Sequence, residues 1–104
     1  MDPTTKTCAR LEIRNGEFEG MTYNLVEEET LIGRNPTTNI TVLDPGISRE
    51  HALILSDEDE AGHRVEDLQS TNGTKVNGKR LRSARLENGD EIEIGHTCFV
   101  YRTL

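Results

Sequence analysis

The sequence predicts an all-β sandwich, and three observations carry that reading. Short runs in which apolar and polar residues alternate recur along the chain, turns built on Gly separate them, and no segment sustains a 3.6-residue apolar period. At 104 residues the chain is sized for one domain with a modest core. An apolar share of 33% is low, but it suffices when each sheet keeps one face in water.

The elements follow in order. Met1 to Thr7 is polar, with Thr4, Thr5 and Thr7, and is expected to be a flexible tail ahead of a domain over residues 8–104. Ala9, Leu11 and Ile13 alternate with Arg10, Glu12 and Arg14 as a half-buried strand, which Asn15-Gly16 is expected to close with a hairpin turn. Met21, Tyr23 and Leu25 alternate again, and Glu27 to Glu29 reads as a solvated acidic turn. Thr30-Leu31-Ile32 is a brief strand that stops at Gly33. Gly33 to Asn39 is a loop, and it is no P-loop, because neither Gly-Lys-Ser/Thr nor a helix follows. Ile40 and Val42 form a short strand before the Asp44-Pro45-Gly46 loop.

Glu50 to Ser56 is predicted to be a strand, Asp57 to Glu60 an acidic turn, and Gly62 to Asp67 the antiparallel return. That return brings Asp67 back to the Ser48 end. The acidic turn is left about 17–20 Å away, the length of a typical strand. Such a distance exceeds the Debye length of about 8 Å at physiological salt, so the turn scarcely repels an anion at Ser48. Asn72-Gly73 and Asn77-Gly78 are tight turns where positive φ is tolerated. Leu81, Leu86, Ile92, Ile94, Phe99, Val100 and Tyr101 supply the last strands, with Asn88-Gly89-Asp90 and Gly95-His96 turning between them.

Charge narrows the function. The net charge is −7, which argues against duplex nucleic acid and anionic membranes as partners, since both need a broad basic footprint. No apolar run is long enough to span a bilayer and no signal-peptide pattern opens the sequence, so a cytoplasmic location is expected. Cys8 and Cys98 have no CxxC spacing and no nearby His partner, which argues against a metal site. They read as reduced thiols, though they become neighbours if the first and last strands pair. Nothing calls for a cofactor.

Gly46-Ile47-Ser48-Arg49-Glu50-His51 brings a hydroxyl, a fixed cation and an imidazole together just before the apolar run Ala52-Leu53-Ile54-Leu55. A loop seated on a buried strand holds donors still, and Ser48 with Arg49 suits an oxyanion such as phosphate. Arg34 ends another strand, where a guanidinium fork can grip a phosphate at two points. Asp67-Leu68-Gln69-Ser70-Thr71-Asn72-Gly73-Thr74 is rich in side chains that fold turns onto nearby amides. Lys79, Arg80, Arg82 and Arg85 then form a locally basic stretch in an acidic chain.

In this order and spacing, Gly33-Arg34, Ser48-Arg49-Glu50-His51, Asp67 to Thr74, Val76-Asn77-Gly78 and Leu86 to Gly95 resemble the forkhead-associated (FHA) domain, a phosphothreonine-peptide binding module. The family is one of the phospho-motif readers that work through arginine clusters. The resemblance runs from Leu11 to Tyr101. It implies an FHA-type (SMAD/FHA-like) β-sandwich of about eleven short strands with binding loops at one end. It also implies that Arg34, Ser48, Arg49 and Thr71 face the phosphothreonine and that Asn72 holds the peptide backbone. Gly33, His51, Ser70, Gly73, Asn77 and Gly78 would be structural, His51 by tying the loops together. A pocket for the threonine methyl would favour threonine over serine by about 1–3 kcal/mol. Preference at the third residue after the phosphothreonine would depend on residues 44–47 and 77–82.

The implied partner is a phosphothreonine-containing protein or peptide in Ser/Thr-kinase signalling, and the implied state a monomeric domain of a larger protein. Two alternatives stay open on the sequence: a scaffold that binds its partner without phosphate, and self-binding of a tail phosphorylated at Thr4, Thr5 or Thr7. An enzyme using Ser48 and His51 is disfavoured, because no carboxylate is evident to orient the imidazole and Arg49 has no part in acyl transfer.

Overall fold

The computed structural model describes residues 9–57 and 62–103. Among them eleven strands and no helix are found: β1 (Ala9–Ile13), β2 (Thr22–Asn24), β3 (Glu29–Gly33), β4 (Ile40–Thr41), β5 (Ala52–Asp57), β6 (Gly62–Asp67), β7 (Thr74–Val76), β8 (Lys79–Arg80), β9 (Ser83–Arg85), β10 (Glu91–Ile94) and β11 (Thr97–Thr103). One sheet has six strands in the order β2-β1-β11-β10-β7-β8, and the other has five in the order β4-β3-β5-β6-β9. The all-β sandwich expected from alternation and Gly turns is the fold observed. The tail threonines, Cys8 and most of the acidic turn lie outside the described residues.

Alternation becomes burial as the pleat requires. Leu11, Ile13, Ile92, Ile94, Phe99 and Tyr101 from the larger sheet face Ile32, Ile40, Ile54 and Val65 from the smaller, all at most 2% exposed. Burying one such side chain contributes about 1.5–3 kcal/mol. The sheets are also joined by a polar contact. Tyr101 of β11 bonds through its hydroxyl to Nδ1 of His63 on β6 at 2.7 Å, and the two rings meet edge-on with centroids 5.6 Å apart.

Register decides where the loops converge. β5 and β6 pair from Ala52↔Asp67 to Asp57↔Gly62, so Asp67 returns beside the start of β5 as expected. β1 and β11 pair from Ala9↔Thr103 to Ile13↔Phe99. Cys98 therefore lies beside Arg14, whose amide donates to its carbonyl, and it is a free thiol.

Several boundaries differ from the sequence reading. β5 begins at Ala52, not Glu50, because the amide of Ser48 turns inward to the His51 ring and residues 48–51 stay a loop. Asn15-Gly16 does not close a tight hairpin. The loop runs on until Ile13 N–H donates to Met21 O at 2.9 Å. Asn15 instead clamps the β10–β11 turn, donating to His96 O and accepting from the Cys98 amide. Glu29 belongs to β3, β4 ends at Thr41 before Val42, and Leu81 and Leu86 fall between strands. Leu86 is nonetheless buried, while Leu81 is 38% exposed.

Candidate functional site

The loop from Gly46 to His51 lies against the end of β3. Arg34 N–H donates to Ser48 O at 3.0 Å, Asn35 N–H to Arg49 O at 3.2 Å, and His51 N–H to Ile32 O at 2.8 Å. The approach is so close that a Cβ on Gly33 would overlap the Arg49 carbonyl oxygen. Glycine is required here by space, and its effect is to set Arg34 beside Ser48 and Arg49.

His51 is fully buried and ties this loop to the next one. Its Nδ1 accepts the Ser48 amide at 3.0 Å, so Nε2 carries the proton and donates to Gly73 O at 2.8 Å. Gly73 belongs to the Asp67–Thr74 turn, which Asp67 organises. The Asp67 carboxylate accepts from the Ser70 amide, the Ser70 hydroxyl and the Thr74 hydroxyl. Ser70 in turn accepts the Gly73 amide at 2.9 Å. Burial alone would raise the carboxyl pKa of Asp67, but these bonds outweigh it and hold it below its ordinary value.

Ser48 Oγ accepts the Thr71 amide at 3.1 Å, which leaves its own proton to donate outward. Arg34 spends Nε on Ile47 O at 3.0 Å, and its terminal nitrogens remain. Neither the Arg49 guanidinium nor the Arg49 amide bonds to a described residue. Asn72 donates Nδ2 to Gly46 O at 2.8 Å, keeping its Oδ1 and second N–H for another partner. Arg34, Arg49, Thr71 and Asn72 are exposed and Ser48 is half-buried. Donors and positive charge from separated turns thus meet at one end of the sandwich, an arrangement suited to a phosphate ester.

Asn77 and Gly78 lie farther along, in the β7–β8 turn, with φ of 53° and 88°. That is the paired positive φ of a tight hairpin turn. The Asn77 side chain accepts from the Glu91 amide and donates to Asp90, so it braces the β9–β10 connection and does not face Ser48.

Residues 30–95 match the FHA domain family. The chain belongs to the FHA domain family. This FHA domain is 38% identical over 93 residues to an oxoglutarate dehydrogenase inhibitor of Corynebacterium jeikeium, covering 89% of this chain but only 63% of that relative. It is 35% identical to a solved FHA domain studied for phosphothreonine-dependent interactions, with a TM-score of 0.84 and coverage of 92% and 96% of the two chains. It is also 35% identical to the FhaA FHA domain solved in complex with the intracellular domain of Rv3910, with a TM-score of 0.82 and coverage of 90% and 99%. Among the described residues no helix is long and apolar enough to cross a membrane, and no cluster of His, Cys, Asp or Glu is arranged to hold a metal.

The sequence reading missed one organiser of the FHA site. Asp44 is buried and accepts from the Gly46 amide, the His96 amide, the Thr97 hydroxyl and the His96 ring, fastening the serine-bearing loop to the β10–β11 turn. Burial would raise its pKa, but the bonds from Gly46, Thr97 and His96 prevail and lower it. In sequence Asp44-Pro45-Gly46 looks like an ordinary turn, and the partners that tie Asp44 to the β10–β11 turn, His96 and Thr97, are 52 and 53 positions away.

Proposed function

We propose that this FHA domain docks phosphothreonine-bearing partner proteins in Ser/Thr-kinase signalling. Arg34, Ser48, Arg49 and Thr71 receive the phosphothreonine, and Asn72 holds the peptide backbone through the amide atoms that Gly46 does not use. Gly33, His51, Ser70 and Gly73 keep those loops in place, and Asn77 and Gly78 shape the neighbouring turn. The observation that carries this reading is the state of the Ser48 hydroxyl. It is committed as an acceptor to Thr71 and free as a donor, beside two arginines with open guanidinium groups.

The domain is taken to span residues 8–104 with residues 1–7 as a tail, and to act in the cytoplasm as a monomeric part of a larger protein. A binding role without catalysis is supported by the geometry of His51. Both ring nitrogens are engaged with backbone groups, so the imidazole cannot act as a base toward Ser48 Oγ.

Titration with peptides identical except for threonine, phosphothreonine or phosphoserine tests the proposal. Phosphothreonine is expected to bind tightest, with Ser48→Ala and Arg34→Ala each costing about 1.5–3 kcal/mol. Equal affinity for threonine and phosphothreonine peptides points instead to a phosphate-independent scaffold.

A further inference from the structure

The outermost strand of a sheet turns unpaired N–H and C=O groups outward, where another strand can add. Among the described residues the sandwich has four such edges, β2 and β8 in the larger sheet and β4 and β9 in the smaller. Three are short or guarded by cations, which discourage strand addition. β8 is Lys79–Arg80, β9 ends in Arg85, and β4 has two residues. β2 is Thr22-Tyr23-Asn24, with neither a charge nor a proline. Its register shows which groups face out. Leu11 pairs with Tyr23, and the flanking bonds run from Ile13 N–H to Met21 O and from Leu25 N–H to Ala9 O, both at 2.9 Å. Residues 21, 23 and 25 thus spend their backbone groups on β1, and Thr22 and Asn24 turn theirs to the open side. Neither bonds there to a described residue.

The surroundings of this edge select its occupant. Met21 before it and Val26 after it are 47% and 75% exposed, so an apolar contact waits at each end. Glu17 and Glu19 precede the strand and Glu27, Glu28 and Glu29 follow it. All five are exposed, and none pairs with a described cation. Val26 and the three later glutamates line an open depression. Arg10, which stands opposite Asn24, is already bonded to Glu12. A second copy of the chain is the wrong guest. Antiparallel pairing of β2 with itself about Tyr23 brings Glu19 of one copy toward Glu27 of the other, and like charges placed opposite destabilise a sheet. A strand with Lys or Arg at its ends meets opposite charge at both.

We propose that the open edge of β2 docks an extended segment of a partner protein by strand addition, with a neutral centre along Thr22–Asn24 and basic residues at both ends. Backbone hydrogen bonds supply the affinity, and the flanking glutamates select the sequence. The edge uses none of the residues proposed to receive phosphothreonine, so its failure leaves that reading untouched.

The test uses the 104-residue chain and a synthetic peptide with a Thr-Val-Thr centre and lysines at both ends. One companion peptide carries glutamates in place of the lysines, and another keeps the lysines but has its central amides N-methylated. In amide exchange followed by NMR, the lysine peptide should slow Thr22 and Asn24 and leave Tyr23, already paired with Leu11, unchanged. The methylated peptide should bind at least about tenfold more weakly, the scale of two or more lost hydrogen bonds, and the glutamate peptide should also bind more weakly than its parent. A saturating phosphothreonine peptide should not displace the lysine peptide. Asn24→Pro removes an outward donor without touching the ladder to β1, so it should weaken the lysine peptide about two- to tenfold. The proposal is overturned if exchange at Thr22 and Asn24 does not slow, or if either companion binds as tightly as the parent. It is also overturned if the phosphothreonine peptide displaces the lysine peptide, or if a folded Asn24→Pro binds it undiminished. The exchange, companion and displacement results are read on the unaltered chain and decide the matter even where Asn24→Pro fails to fold.

Discussion

Arg34 donates its Nε to the carbonyl of Ile47 at 3.0 Å, so the loop that carries Ser48 also aims the guanidinium beside it. One arginine is thereby a structural donor and a charged fork at once. A lysine has the charge but not the second, fixed donor. Arg34→Lys is therefore expected to rescue little of the binding lost in Arg34→Ala. Calorimetry should find both variants weakened about tenfold or more, in keeping with the loss of a charge-assisted bond, while circular dichroism stays that of the parent.

His51 predicts the opposite balance between stability and contact. It touches no exposed surface, yet it satisfies the Ser48 amide and the Gly73 carbonyl. His51→Ala leaves both backbone groups unpaired, at about 1–3 kcal/mol each. Urea unfolding should show a large loss of stability. Phosphopeptide affinity should fall as well, because Ser48 and Thr71 are no longer held in register. Unchanged unfolding would mean that the two loops are joined by something other than this imidazole.

Gly33→Ala is a steric test. The added methyl must displace the Arg49 backbone carbonyl, which has no flexible end to move aside. Overpacking of this kind costs about 1–3 kcal/mol, and the displacement separates Arg34 from Ser48. Stability and phosphopeptide binding should both drop, with no recovery of binding at low temperature where the variant is fully folded.

The pH profile of stability should have two descents. Burial holds the His63 pKa below its ordinary 6.5, with a hydrogen bond to the Leu25 backbone opposing it. The unfolded chain then takes up this proton first, so the stability present above pH 6.5 is lost as pH falls from there. Asp44 and Asp67 are held below their ordinary 3.8, so their contribution is present above that pH and lost beneath it. Urea midpoints measured from pH 8 to pH 3 should decline below about 6.5 and again below about 4. His63→Gln should remove the first decline and Asp44→Asn should soften the second.

How much of this was legible in the sequence depends on how far apart the partners stand. The strands of the core announce themselves, because Leu11, Ile13, Ile92 and Ile94 alternate locally and alternation is a short-range signal. Asn77-Gly78 is equally local, and its positive φ is what the dipeptide implies. Asn15-Gly16 misleads for the same reason. Its asparagine is taken up by His96 and Cys98, more than 80 positions away, and local turn rules cannot see that. The site residues were brought together by their resemblance to a family, whereas Asp44 has no local mark of its role. Gln69, with φ of 56°, is also silent, since glutamine carries no preference for that conformation.

Ala9 and Thr103 sit across from each other at one end of β1 and β11, while Thr97 at the other end of β11 binds Asp44 beneath the recognition loops. Six residues of strand separate those ends, about 20 Å. Polypeptide fused before Ala9 or after Thr103 is thus expected to depart from the pole remote from the proposed Ser48 site. The domain can be spliced into a host protein as a plug with adjoining leads, its reading head unobstructed.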